Sequence, residues 1–508
     1  YEIRLSLVGS EMCIRDSMKT MIRLVTIAAL SLAVYSCAIS NDSDFLGYDS
    51  GMNGTAEAMT GGDRFDKIAE NPFVKTKDQN VSTFSIDADG ASYTIMRKYV
   101  KNGWAVDPAS VRIEEFLNYF TFDYPEPTGS DLVAINAETG LCPWNKEHRL
   151  LRLGLKGKSL NDKELPASNY VFLVDVSGSM SSKDKLELLK SSLVTLLDYL
   201  QPEDRISIVT YSGTVRKLLE STPVKDAAKI KAAIGKLSAS GSTAGGKAIE
   251  MAYEEALSNY IPDGNNRVIL GTDGDFNVGV TDSDALTELV EGYARKGIYL
   301  TACGFGSGNL NDAMMKKISV KGNGTYQYID SEEEMAKVFV QERSKFVSVA
   351  NDSKVQVTFD PDMIESYRLI GYERRVMDNK DFEDDSKDAG EIGAGQTITA
   401  LYEIVPTENY KDGENCCKFD CRYKKSLLDA ESQALSVDIK VAEGQMSSDL
   451  SFASGVAAYG LVLLGSEYKG DATLEMASEL VKSGLSFDPY GYRAQLLDLI
   501  SKVKVSEK

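Results

Sequence analysis

The run "VFLVDVSGSM", residues 171–180, passes from apolar side chains to Asp175, Ser177 and Ser179 at alternate positions. Ser, Gly and Asp build turns, and Asp or Ser caps helices, so such a run can arise for purely structural reasons. The same three oxygen-bearing side chains also suit a hard metal ion. What surrounds the run decides between the two readings.

From residue 168 onward the pattern is regular. "YVFLV" is a short apolar run of the kind found in a central parallel strand. It is followed by "DKLELLKSSLVTLLDYL", in which Leu186, Leu189, Leu193, Leu196, Leu197 and Leu200 recur at helical spacing. "RISIVTY" reads as a strand, "DAAKIKAAIGKL" and "TAGGKAIEMAYEEALSNY" as helices, and "RVILGT" as a strand. "DSDALTELVEGYARKG" (helix), "IYLTACGF" (strand), "NDAMMKKIS" (helix), "GTYQYI" (strand) and "SEEEMAKVFVQERSKF" (helix) complete the series. This alternation predicts a doubly wound, Rossmann-like α/β domain over 166–348. Open sheets of that kind bind ligands at the carboxyl ends of their strands. Asp175 follows one strand, and Asp273 in "VILGTDGDFN" follows another. Thr243 in "SASGSTAGGKAIE" sits where a loop enters a helix. Three separated segments thus deliver Asp175, Ser177, Ser179, Thr243 and Asp273 to one edge.

These five residues resemble the metal-ion-dependent adhesion site of the von Willebrand factor A domain: D-x-S-x-S, then a Thr, then the Asp of "TDG". The resemblance implies that Ser177, Ser179 and Thr243 ligate the ion directly. It also implies that Asp175 and Asp273 do so directly or through water. Hydroxyl and carboxylate donors suit Mg²⁺, Mn²⁺ or Ca²⁺ rather than zinc or copper. Two carboxylates against a divalent cation leave the site near neutral and still electrophilic, so an Asp or Glu of a protein partner would complete the shell. Asp275 reads equally as a rim residue of that site or as a turn former.

The flanks carry a wider resemblance. Residues 81–165 predict a mixed α+β domain, with Tyr93, Met96, Tyr99, Ile113, Phe116, Leu117 and Phe120 as core residues at helical period. Residues 349–508 predict strands ("KVQVTFD", "YRLIGYERR", "QTITALYEIV", "QALSVDIKV") and then helices from Ser448 onward. With "VSTFSIDADGASY", "VRIEEFLNYF", "CPWNKEHRLL", "STAGGKAIEMAYEEA", "TDGDFNVGV", "DAGEIGAGQTITALYEIVP" and "DPYGYRAQ", the chain resembles a bacterial family that places a von Willebrand factor A domain between dedicated N- and C-terminal domains. The resemblance implies an envelope or secreted protein.

The first residues point the same way. "MKTMIRLVTIAALSLAVYSC" has a basic start, a short apolar centre and a small residue before Cys37, the pattern of a secretory signal over 18–36. Residues 1–17 read as non-native read-through. "AVYSC" resembles a bacterial lipobox, which makes Cys37 the expected acylated residue and the bacterial cell envelope the expected location. Residues 37–80, polar and Gly-rich, are expected to form a flexible, lipid-anchored tether.

Composition limits the rest. The 508 residues carry 56 Lys and Arg against 76 Asp and Glu, a formal charge of −20, which disfavours nucleic acid as a partner. The single histidine, His148, lies far from any nucleophile motif and cannot build a zinc hydrolase, so it reads as structural. "GFGSGN", residues 304–309, lacks the features of a nucleotide-binding loop and reads as a connection close to the metal edge. Cys303 reads as core. Cys416, Cys417 and Cys421 read as a disulfide or unpaired thiols on a loop. No catalytic constellation emerges. The expected function is a membrane-tethered, metal-dependent protein-binding module. The alternatives are an envelope scaffold whose ion is capped internally and a metal-assisted hydrolase.

Overall fold

The computed structural model describes residues 63–504 apart from 87–88, 162, 242–246, 275–282, 309, 428 and 443. At its centre is a six-stranded sheet in the order Tyr326–Ile329, Ile298–Phe305, Asn265–Thr272, Ser168–Asp175, Arg205–Tyr211 and Val215–Pro223. All neighbours are parallel except the last, an antiparallel edge strand. Every residue of Ser168–Asp175 is buried, because helices cover both faces. Alternate side chains serve opposite cores. Val171 and Leu173 pack with Ile249 and Ala252 on one face. Tyr170, Phe172 and Val174 pack with Leu189, Leu193 and Leu196 on the other. The doubly wound fold expected from the alternation is the fold observed.

Chain order runs outward from Ser168–Asp175 in both directions, so the topological switch point lies between that strand and Asn265–Thr272. Their carboxyl ends carry Asp175 and Asp273.

The two flanks interleave instead of folding as separate units. One five-stranded sheet combines Val133–Leu141 and Arg149–Gly157 from before the central domain with Thr397–Pro406 and Ile364–Ile370 from after it. A second sheet is built from Gly390–Gly393, Ser348–Phe359, Asn415–Lys424 and Gln433–Lys440, and Val81–Ser85 joins it by pairing with Ser348–Phe359. Leu151, Leu153 and Leu155 of the first sheet meet Val355, Val357 and Phe359 of the second in a shared core. The helical part mixes the flanks as well: Phe120 packs edge-on against Phe452 with ring centroids 4.8 Å apart. Helix Ser448–Leu464 is capped at its start by Ser447 Oγ, which accepts from the Leu450 N–H, and stops at Gly465 with φ of +60°. All seven aromatic and aliphatic residues predicted as N-terminal core are buried.

Two expectations change. The segment expected as tether over 37–80 is packed on the body from residue 63 onward. There Val74–Lys75 pairs with Ile364–Ile370, and the Thr76 hydroxyl donates to the Ile364 carbonyl at 2.6 Å. The cysteines Cys416, Cys417 and Cys421 lie on strand Asn415–Lys424 rather than on a loop, as buried free thiols. Cys417, Phe419, Cys421 and Tyr423 point inward at every second position, so the thiols serve as small apolar side chains.

Candidate metal centre

Asp175 is the last residue of its strand and is fully buried, as is Asp273. One Asp175 oxygen accepts the Ser177 N–H at 2.8 Å, and the other accepts the Thr272 hydroxyl at 3.2 Å. The carboxylate is thereby clamped between the two strand ends at the switch point. Ser177 and Ser179 follow on a tight turn with their hydroxyl oxygens 2.9 Å apart. Burial raises the Asp175 carboxyl above its ordinary range. The Ser177 N–H opposes that shift, and the nearby Asp273 carboxylate adds to it.

Asp175, Ser177 and Ser179 thus lie together on one turn, and Asp273 directly follows the neighbouring strand. Thr243 lies outside the described residues, as do Asp275 and Cys37. The approach to Thr243 is described: the Ser240 N–H donates to the Val176 carbonyl at 2.8 Å, and the Gly178 N–H donates to the Gly241 carbonyl at 3.0 Å. The loop leading to Thr243 thus runs against the Asp175–Ser179 turn.

Asp273 tests whether an ion suits these residues. Its Oδ2 accepts from the Lys185 ammonium at 2.9 Å, while its Oδ1 is buried with no hydrogen-bond partner among the described residues. An orphaned carboxylate oxygen is costly unless a cation or donor meets it. Two carboxylates and two hydroxyls at adjoining strand ends, with one oxygen unpartnered among the described residues, fit a hard divalent ion. Asp175, Ser177, Ser179 and Asp273 would hold it.

Sequence reading missed Thr272 and Lys185. Thr272 sits in the quoted "TDG" run but looks like an ordinary strand residue. Lys185 precedes the apolar stripe of its helix, where a charged residue normally faces solvent. A π-helical turn over Lys183–Glu187 instead buries it to 7% exposure. The "GFGSGN" loop does lie at this edge, because Gly306 packs on the Lys185 side chain. Its next residues hold the start of the described chain: Asp63 Oδ1 accepts the Gly308 and Leu310 N–H groups at 2.8 and 3.1 Å. His148 is remote and structural, its Nδ1 2.6 Å from Glu403 Oε1.

A mostly parallel sheet with Asp175 and Asp273 at its switch point is that of a von Willebrand factor A domain, a class of protein-interaction modules rather than enzymes. The von Willebrand factor type A domain family matches residues 169–341, a von Willebrand factor family matches 59–152, and the family described as uncharacterized protein YfbK, C-terminal, matches 344–505. Uncharacterized protein YfbK of Escherichia coli (strain K12) is 37% identical over 467 residues, covering 87% of this chain and 81% of that one. The chain belongs to the YfbK family. Human inter-alpha-trypsin inhibitor heavy chain H4 is 29% identical over 38% of this chain and 21% of its own length. Among solved structures, a von Willebrand factor type A protein from Catenulispora acidiphila is 18% identical, covers 77% of this chain and 99% of that one, and superposes with a TM-score of 0.42.

Proposed function

We propose that the protein is a divalent-metal-dependent binding module of the bacterial envelope that takes up a carboxylate of a protein partner at the Asp175–Asp273 site. One observation carries this reading: the buried Asp273 oxygen, without a partner among the described residues, at the strand end next to the clamped Asp175 and the two serine hydroxyls. Mg²⁺ or Mn²⁺ would be held by these oxygens and would supply a Lewis-acidic coordination position for the partner. The chain's own part is to fix the donors at the ends of two rigid strands.

The alternatives have less support. An internal cap would require a flank carboxylate within reach of the ion, and the described hydrogen-bond partners of Asp175 and Asp273 are groups of the central domain. Cys37-independent capture of an acidic peptide in the presence of Mg²⁺ separates the two readings. A hydrolase would need a substrate cavity at the metal edge. Among the described residues, a cavity of about 330 Å³ lined by Tyr260, Asn265 and Gly297 lies at the amino ends of the strands, roughly 25 Å from the metal edge by strand length.

The proposal is tested by calorimetric titration of Mg²⁺ and Mn²⁺ into residues 38–508, beside Asp175→Ala. One-site binding that is lost in the variant, with an unchanged circular dichroism spectrum, is the expected result. Wild-type affinity in the variant removes the site assignment. Membrane attachment through Cys37 is part of the same proposal. Cys37→Ser should move the full-length protein to the soluble fraction, and continued membrane retention contradicts a lipid anchor.

A further inference from the structure

Lys185 is an element of the metal edge that the adhesion-site pattern does not explain. Its ammonium lies 2.9 Å from Asp273 Oδ2, with side-chain exposures of 9% for the lysine and 0% for the aspartate. Packing fixes this position as much as charge does. Gly306 adopts φ of +70°, and a Cβ there would lie 2.3 Å from Lys185 Cε, so the loop closes directly on the lysine stem. Gly306 is held in turn by Tyr328, whose hydroxyl donates to the Gly306 carbonyl and accepts from the Lys98 ammonium. Lys98 comes from the helix Ala91–Lys101 of the N-terminal flank. Burial pushes Lys98 down to about 8. The carboxylates of Asp63, Asp184 and Asp330 oppose that shift, and the proximity of Lys185 adds to it. Two cations thus stand behind the metal edge, one of them in contact with a ligand residue.

Charge at the site follows directly. Asp175 and Asp273 contribute two negative charges and Lys185 one positive, so the protein donors sum to −1. A divalent ion brings the site to +1 in a desolvated environment, where an uncompensated charge is costly. Without Lys185 the loaded site would be neutral overall, and its preference for an anionic ligand would rest on the ion alone and be weaker.

We infer that Lys185 is a positioning and specificity-determining residue: it lowers the site's affinity for the bare ion and makes the loaded site select an anionic ligand. This rests on the metal-binding reading above and adds to it why the partner group must be acidic. Stability alone would also account for an Asp–Lys pair, but a purely structural lysine makes the opposite prediction. Losing it would loosen Asp273 and weaken ion binding.

The test uses Mn²⁺ and acetate as probes, followed by water-proton relaxation, on wild type, Lys185→Met and Lys185→Arg. Lys185→Met keeps the stem's bulk and removes the charge. It should bind Mn²⁺ about tenfold more tightly, and its loaded site should respond to acetate several-fold more weakly than wild type. Lys185→Arg, which keeps the charge, should remain close to wild type in both. Unchanged or weaker Mn²⁺ binding by Lys185→Met overturns the inference, as does an equal acetate response in the two proteins or none in wild type. Wild type and Lys185→Met both failing to bind Mn²⁺ overturns the metal reading itself, and so marks a different failure from a wild type that binds the ion while Lys185→Met shows no gain.

Discussion

At Asp273 a buried carboxylate is met by a lysine, whereas at Glu373 the nearest groups include other acids. Burial, reinforced by Glu114 and Glu70 against the opposing Arg368, raises the Glu373 carboxyl from 4.5 to about 8. In the unfolded chain that carboxyl titrates near its ordinary value, so between those two pH values the folded protein holds a proton that the unfolded one releases. Stability from this group is therefore complete below the lower value and is lost as pH rises towards the upper, with a slope of at most about 1.4 kcal/mol per pH unit. Glu373→Gln, which cannot ionise, should flatten the profile and be more stable than wild type at the alkaline end. Urea denaturation at both ends of the window measures it, and parallel profiles for the two proteins would exclude Glu373 as the source. Nothing in "YRLIGYERR" foretells this behaviour, because Glu114 reaches Glu373 from a helix far earlier in the chain.

Elements with one dominant apolar period are legible in the sequence, and elements shaped by their neighbours are not. Ser168–Asp175, Asn265–Thr272 and the leucine-striped helix were readable because burial on both faces or one face imposes its own pattern. Val215–Pro223 went unread. Its exposed charged residues show no clean alternation, and it forms because Tyr211 pairs with Val215 across a short turn at the sheet edge. Strand Asn415–Lys424 was obscured by its own chemistry: cysteines drew attention as thiols, although their two-residue spacing with Phe419 and Tyr423 is a strand signal once they count as apolar. The helix read over "SEEEMAKVFVQERSKF" breaks into Glu332–Ala336, a π turn at Lys337–Gln341 and a 3-10 turn at Arg343–Phe346. Lys337 and Lys345 both reach Glu342 there, at 2.9 and 2.7 Å.

At the scale of the molecule, buried ion pairs join the N-terminal helices to the edge of the central domain. Arg112 pairs with Glu115 at 2.6 Å and with Asp312 at 2.8 Å, and Lys316 joins the same group through Glu115 and Asp89. Nearby, Arg97 Nε donates to Asp330 at 2.9 Å, and Glu334 accepts from both Arg97 and the Tyr119 hydroxyl at 2.8 Å. Removing one partner of such a group strands the others' charge in the interior. Arg112→Met should therefore cost about 3–5 kcal/mol in chemical denaturation. Because the network spans two parts of the chain, the loss should lower the midpoint for the flank and the central domain together. A change below about 1 kcal/mol would mean the network contributes little beyond packing.

The sequence alone determined the doubly wound central domain and the acidic residues, Asp175 and Asp273, that stand at the ends of its two switch-point strands. Both depend on local periodicity and on which residues end a strand, and neighbouring residues encode those. Tertiary structure alone decided that the two flanks share their sheets, that Lys185 turns inward onto Asp273, and that one Asp273 oxygen has no partner among the described residues. Each of these depends on groups brought together across long stretches of chain, where burial, charge and close approach are set by packing that no local pattern records.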